Sequence, residues 1–207
     1  MKKGILKIDH NGKKIEINYF YSFISKSEIT IDREKYLNIC QKNCNYYGKN
    51  YSCPPYAPKL SDYSKEYTKL FVVMFRIKMS QIDIEDNFER LKTSNNILRQ
   101  EIEGLMRKLE SCNKSKFLSS GPCKLCSRCL AVIDKPCRYP EKMRYSLEAL
   151  GVDCAHLIQK VFNKKMEWFE NGVLPKRTSV IAAIPFDEVN LKKLSKRADA
   201  LIKSIAK

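Results

Sequence analysis

An α/β or α+β fold, with a small mixed sheet flanked by amphipathic helices, is predicted by three features of this sequence. Gly4 to Phe20 alternates apolar and polar residues around Asn11-Gly12, the strongest short-range signal for a β-hairpin. Leu70 to Ile77 is an apolar run of strand length. Asp83 to Glu110 and Asp187 to Ile205 place apolar residues at three- and four-residue steps, which gives each helix one face to bury. With 207 residues the chain can build one sizeable core, so a single domain over 1–207 is expected, with cysteine-rich loops at 40–58 and 121–140.

The hairpin should open the chain as two antiparallel strands. His10, beside the turn, has no second ligand type near it and reads as a turn residue. Asp32 can cap a short helix through Ile39, whose C-terminal end delivers Cys40 and Cys44 into a loop from Asn45 to Pro58. That loop holds Tyr46, Tyr47, Tyr51 and Tyr56 with Pro54, Pro55 and Pro58; prolines stiffen backbone around a fixed object and aromatic rings keep water from it.

Leu70 to Ile77 reads as a buried strand and Asp83 to Glu110 as a long helix. The helix stripe Ile84, Phe88, Leu91, Leu98, Ile102, Leu105 and Leu109 is nearly a heptad seam, interrupted by Asn95 and Asn96. Such a helix in a mixed chain is expected to cover a sheet, while the seam leaves a homodimer open. Lys116 to Ser119 is the expected returning strand of a right-handed strand–helix–strand unit. Met143 to Leu150 and Asp153 to Phe162 read as two helices broken at Gly151, and Thr178 to Ile184 as a strand stopped by Pro185. The last helix carries Leu191, Leu194, Ala198, Leu201 and Ile205 on one face.

Composition narrows the function classes. Nine cysteines in metal-like spacings, without a signal-peptide apolar region, point to a reducing, cytoplasmic setting rather than a disulfide framework. The apolar run at Leu70 is far short of the ~20 residues a membrane helix needs. A net charge of +16, from 39 basic and 23 acidic residues, suits an acidic partner protein or an anionic substrate. The lysines form no basic block and no aromatic-interleaved motif, so nucleic acid is the minor alternative.

Seven cysteines form two groups, Cys40-x3-Cys44-x8-Cys53 and Cys123-x2-Cys126-x2-Cys129-x7-Cys137. Three thiolates at two-residue spacings can wrap one face of a four-iron cube, whereas a tetrahedral zinc usually takes two paired cysteines and then a long gap. The second group is therefore expected to hold a 4Fe–4S cluster, with zinc as the alternative. Seven residues before Cys137, where a ferredoxin has three, leave open that this cysteine serves another cluster. The first group lacks an obvious fourth ligand: either one iron is open to a small-molecule substrate, or Cys154, His156 or Cys112 completes the set. A radical-SAM reading fails on the late third cysteine and on a chain too short for a barrel.

The runs Ser120-Gly121-Pro122-Cys123-Lys124-Leu125-Cys126-Ser127-Arg128-Cys129, Pro136-Cys137-Arg138-Tyr139-Pro140 and Ser146-Leu147-Glu148-Ala149-Leu150-Gly151-Val152-Asp153, with Cys40-x3-Cys44 and Ser52-Cys53-Pro54-Pro55, resemble a prokaryotic family found largely in anaerobes. Its members are described as predicted metal-binding proteins of unknown function. The resemblance implies that the seven grouped cysteines are metal ligands. It speaks against Cys154, where the family usually has an apolar residue. It also places polar residues at Arg138, Arg144 and Glu148, which can bind an anionic substrate, tune a cluster or serve as ordinary surface pairs.

Together these readings lead to an expectation of two 4Fe–4S clusters in a protein of anaerobic metabolism, one for electron transfer and one for redox or sulfur chemistry. The alternatives are a non-enzymatic electron or metal carrier that docks an acidic partner, and a zinc-stabilised nucleic-acid binder.

Overall fold

The computed structural model describes residues 1–111, 114–187 and 191–205. The N-terminal alternation becomes the hairpin: β1 (Lys2–His10) and β2 (Lys13–Ser25) pair antiparallel, with Leu6 opposite Ile17 and Ile8 opposite Ile15. Asn11 and Gly12 turn the chain with φ of 53° and 76°, left-handed values that asparagine and glycine tolerate. The long second strand then pairs with β3 (Lys69–Lys78), and β3 pairs with β4 (Arg177–Phe186), giving the order β1-β2-β3-β4.

The sheet separates two apolar layers. Phe71, Val73, Phe75 and Ile77 of β3 pack with α3 (Asn87–Glu110) and α5 (Leu191–Ile205), whereas Leu70, Val72 and Met74 pack with α4 (Cys154–Phe162) and the segments around it. A strand covered on both faces reads as a continuous apolar run because neither set of alternating side chains meets water. Each fully buried Leu, Ile or Phe here stabilises the fold by roughly 1.5–3 kcal/mol relative to exposure. Arg76 survives in this run because its guanidinium reaches Glu167 and the Lys165 carbonyl at the strand's edge.

The α+β alternative with an N-terminal hairpin stands, but the sheet is antiparallel throughout rather than mixed. Lys116 to Ser119 does not become a parallel strand after α3; Leu118 makes an isolated antiparallel bridge to Ala183, and Ser119 a parallel one to Ser146. The same contact removes the helix expected over Met143 to Leu150. The Ser119 N–H donates to the Tyr145 carbonyl at 2.7 Å and the Leu147 N–H to the Ser119 carbonyl at 3.2 Å. Backbone groups that a helix would use are thus spent, and only Glu148–Leu150 closes a 3₁₀ turn.

Other boundaries shift for local reasons. α3 starts at Asn87 rather than Asp83, because Asp86 caps it by accepting the Glu89 N–H at 2.7 Å. The C-terminal part of its predicted stripe, Leu98, Ile102, Leu105 and Leu109, is buried on the sheet and against α5, whereas Phe88 is exposed and Ile84 precedes the helix. β4 continues through Pro185 to Phe186; it is an edge strand, where a missing N–H leaves no partner unpaired. In the closing helix 188–190 lie outside the described residues, and α5 packs through Leu194, Ala198 and Leu201. Among the described residues no helix is long and apolar enough to cross a membrane.

Candidate metal centre

α1 (Arg33–Asn43) extends past the predicted end at Ile39, so Cys40 lies within it and Cys44 caps it, the Cys44 N–H donating to the Cys40 carbonyl at 3.0 Å. One helical turn apart, the two side chains leave on the same face. The third thiol comes from the following loop, which folds on its own backbone: the Cys53 N–H donates to the Asn50 carbonyl at 2.9 Å and the Ala57 N–H to the Cys53 carbonyl at 3.1 Å. Tyr51 and Tyr56 stack edge-on across it with centroids 5.0 Å apart.

Cys40, Cys44 and Cys53 line one cavity of about 300 Å³. The same cavity is lined by Ser120, Gly121 and Pro122, at the entrance to the second cysteine loop, and by Ser146, Glu148 and Ala149. Glu148, which follows the second cysteine group in sequence, lines the cavity of the first. One carboxylate oxygen of Glu148, Oε2, is buried with no hydrogen-bond partner. Its backbone is held in the 3₁₀ turn by the Gly151 N–H, which donates to the Glu148 carbonyl at 2.9 Å.

The second group surrounds a much smaller space. Cys123, Cys126, Cys129 and Cys137 line a cavity of about 20 Å³ with Asn50, Leu125, Tyr139 and Met143. The Leu130–Ile133 turn, ended by Asp134 in the left-handed region at φ 51°, folds the segment between Cys129 and Cys137 back on itself. The backbone N–H of Leu125 acts on the Cys123 thiol against the effect of burial.

Two buried polar residues join the sites. Asn50 donates its amide to the Cys123 carbonyl at 3.0 Å and accepts the Ser52 hydroxyl at 2.9 Å, while Ser52 Oγ accepts the Cys123 N–H at 2.8 Å and lies 3.8 Å from Cys53 Sγ. Tyr51 reaches across in the same sense, donating its hydroxyl to the Lys135 carbonyl at 2.9 Å. Neither Asn50 nor Ser52 was singled out by the sequence reading. Asparagine and serine beside a cysteine carry no distinctive spacing, so only the fold reveals the bridge.

Burial governs the thiols in the metal-free chain. It pushes the Cys53 thiol up to about 11, with the Ser52 hydroxyl acting in the opposite direction; Cys40 and Cys123 move upward from the same cause. All eight described cysteines are free thiols. Among the described residues, no three His, Cys, Asp or Glu side chains converge tightly enough to hold a single ion; the seven grouped thiols rim two cavities instead.

The other expected ligands lie elsewhere. Cys154 is buried in the layer beneath α4, and burial together with the charge of the neighbouring Glu148 carboxylate raises its thiol pKa well above the usual range. His156 Nδ1 sits 2.7 Å from the Thr30 hydroxyl. Cys112 lies outside the described residues. Arg138 donates to the Arg128 carbonyl at 3.3 Å. Arg144 is buried against Glu110, with Nε donating to Oε2 at 2.8 Å and further bonds to the Glu141 and Met143 carbonyls. It borders, with Arg99, Arg107, Lys124 and the Glu103 paired to Arg99, a mainly basic pocket of about 150 Å³ that also touches Cys123.

Against known families, the model described as "Predicted metal-binding protein (DUF2284)" matches residues 22–184, which includes every grouped cysteine. Neither the curated proteins nor the solved structures gave a match.

Proposed function

Because the chain belongs to this family of predicted metal-binding proteins, we propose that it is an iron–sulfur protein with two 4Fe–4S clusters, one held by Cys123, Cys126, Cys129 and Cys137 and one by Cys40, Cys44 and Cys53. The observation that carries this reading is the partition of seven thiols between two cavities. In a four-iron body each thiolate meets its own iron, so the ligands stand around a volume. A single zinc needs its ligands within about 2.3 Å of one point. Clusters of this type supply one-electron storage and transfer.

The chain's own groups support that use. The Leu125 backbone N–H acts to lower the Cys123 thiol pKa, the direction that stabilises negative charge on sulfur and raises a reduction potential. Arg99, Arg107, Lys124 and Arg144 add positive charge beside Cys123 and favour the reduced state. Tyr139 and Met143 narrow the second cavity against water, whereas the first is wide enough to admit a small molecule beside its metal. We assign electron entry to the second group and redox or sulfur chemistry to the first, in the cytoplasm of an anaerobic metabolism. The basic pocket suits docking of an acidic redox partner.

A non-enzymatic electron carrier is the second reading, favoured by one observation: Cys126, Cys129 and Cys137 are all partly exposed, and Cys123 of the same group borders that basic pocket. The deciding experiment is anaerobic purification with iron, sulfide and zinc analysis and EPR of the reduced protein. About eight irons per chain with matching sulfide are expected. A colourless chain with near-stoichiometric zinc, no iron and nucleic-acid affinity that falls steeply with salt would establish the zinc alternative instead.

A further inference from the structure

We propose that Glu148 is the fourth protein ligand of the Cys40–Cys44–Cys53 site, closing it with a carboxylate oxygen. The inference rests on the two-cluster reading and adds what that reading leaves open, the nature of the group that joins the three thiols.

Four observations converge on it. Glu148 shares the 300 Å³ cavity with all three cysteines of the first group. Its Oε2 is buried and meets no donor, an unfavourable state for a carboxylate unless a cation completes it. The two described candidates named from sequence do not line this cavity: Cys154 is buried in the layer beneath α4 and His156 is turned to Thr30. Finally, the backbone carrying Glu148 is tied to the first cysteine loop. Arg33 donates to the Ala57 carbonyl at 2.6 Å, the Pro58 carbonyl at 2.7 Å and the Ala149 carbonyl at 3.5 Å, so one guanidinium clamps the loop and the 3₁₀ turn together.

The Cys154 thiol then has a role that is not ligation. Buried beside the carboxylate, it positions Glu148, as outer-shell partners do for metal ligands. An oxygen among thiolates is a harder and more exchangeable donor, which makes the metal atom it holds the one that a small molecule in this cavity can reach by displacement.

The test is Mössbauer spectroscopy of the full chain reconstituted anaerobically with isotopically enriched ferrous iron and sulfide, beside E148Q and E148C. In the unaltered chain one iron is expected to give a doublet outside the thiolate envelope. E148Q should abolish or shift that doublet and release first-site iron to EDTA at least about tenfold faster, while the second group's signal and the circular dichroism stay unchanged. E148C should move the iron into the thiolate envelope and restore retention, and it carries the test alone if E148Q folds poorly. An outlying doublet that persists unaltered in E148Q belongs to water or hydroxide, and that result, or its absence from the unaltered chain, overturns the assignment of Glu148. A chain that takes up no iron at all sinks the two-cluster reading itself.

Discussion

The Ser52 hydroxyl accepts the backbone N–H of Cys123 at 2.8 Å across 71 positions of sequence. Because Ser52 precedes Cys53 and its oxygen lies 3.8 Å from that sulfur, one buried hydroxyl touches the first residue of the second cysteine group and the last residue of the first. The two loops therefore settle together, and the ligand sets they carry are coupled through a side chain that has no exposed surface.

Replacing Ser52 by alanine leaves the Cys123 N–H without its acceptor in a dry environment. A loss of roughly 1–3 kcal/mol in stability is expected, read as a lower urea midpoint with an unchanged slope. Faster loss of metal from both groups should accompany it. An S52A chain with the parent's midpoint and metal retention would show that the bridge is incidental.

Gly151 supports the first site from behind. It sits at φ 90°, and a Cβ there would stand 2.9 Å from Arg33 Cα and Cβ, so G151A adds both left-handed strain and a clash with helix backbone. A destabilisation of about 1–3 kcal/mol is expected. Since Arg33 and Glu148 are displaced together, first-group iron should become labile while second-group iron does not; equal loss from both groups would argue against this selective linkage.

Arg144 and Glu110 form the buried ion pair that anchors the chain after the second cysteine loop. R144M leaves Glu110 uncompensated and should cost about 3–5 kcal/mol. Adding E110Q, which keeps an acceptor for the Phe117 N–H now bonded at 3.0 Å, should recover part of that loss. Denaturation of the single and double variants measures the coupling, and strictly additive losses would show that the pair does not act as a unit.

Metal removal should not unfold the domain. Both apolar layers pack against the sheet without any of the grouped cysteines, whereas 121–140 carries little regular structure beyond one 3₁₀ turn. Chelation under anaerobic conditions is expected to leave the far-UV circular dichroism nearly intact and to speed tryptic cleavage after Lys124, Arg128 and Arg138. Collapse of the spectrum in step with iron loss would mean that the metal, not the core, holds the fold.

Much of the architecture was legible because its signals are local. The Asn11-Gly12 turn, the run Leu70 to Ile77 and the stripe on α3 each express a backbone period or a turn preference within a few residues. The errors arose where distant segments competed for the same backbone groups. Met143 to Leu150 has the composition of a helix, yet Ser119 takes the N–H of Leu147 and offers its own to Tyr145. Lys116 to Ser119 shows the same effect in reverse: it has the pattern of a strand, but it makes only isolated bridges, Leu118 to β4 and Ser119 to Ser146, which no local pattern could disclose.

The candidate site divides along the same line. Cysteine identity and spacing set out two groups of soft donors, since ligands within one loop must be near one another whatever the rest of the chain does. That Asn50 and Ser52 join the two loops, and that Glu148 rather than His156 or Cys154 lines the cavity of the first three thiols, were decided only by the tertiary structure. Those relations link residues far apart in the chain, and their geometry follows from how α1, the 3₁₀ turn and the cysteine loops pack on the sheet, a free-energy balance over the whole core that no short stretch of sequence encodes.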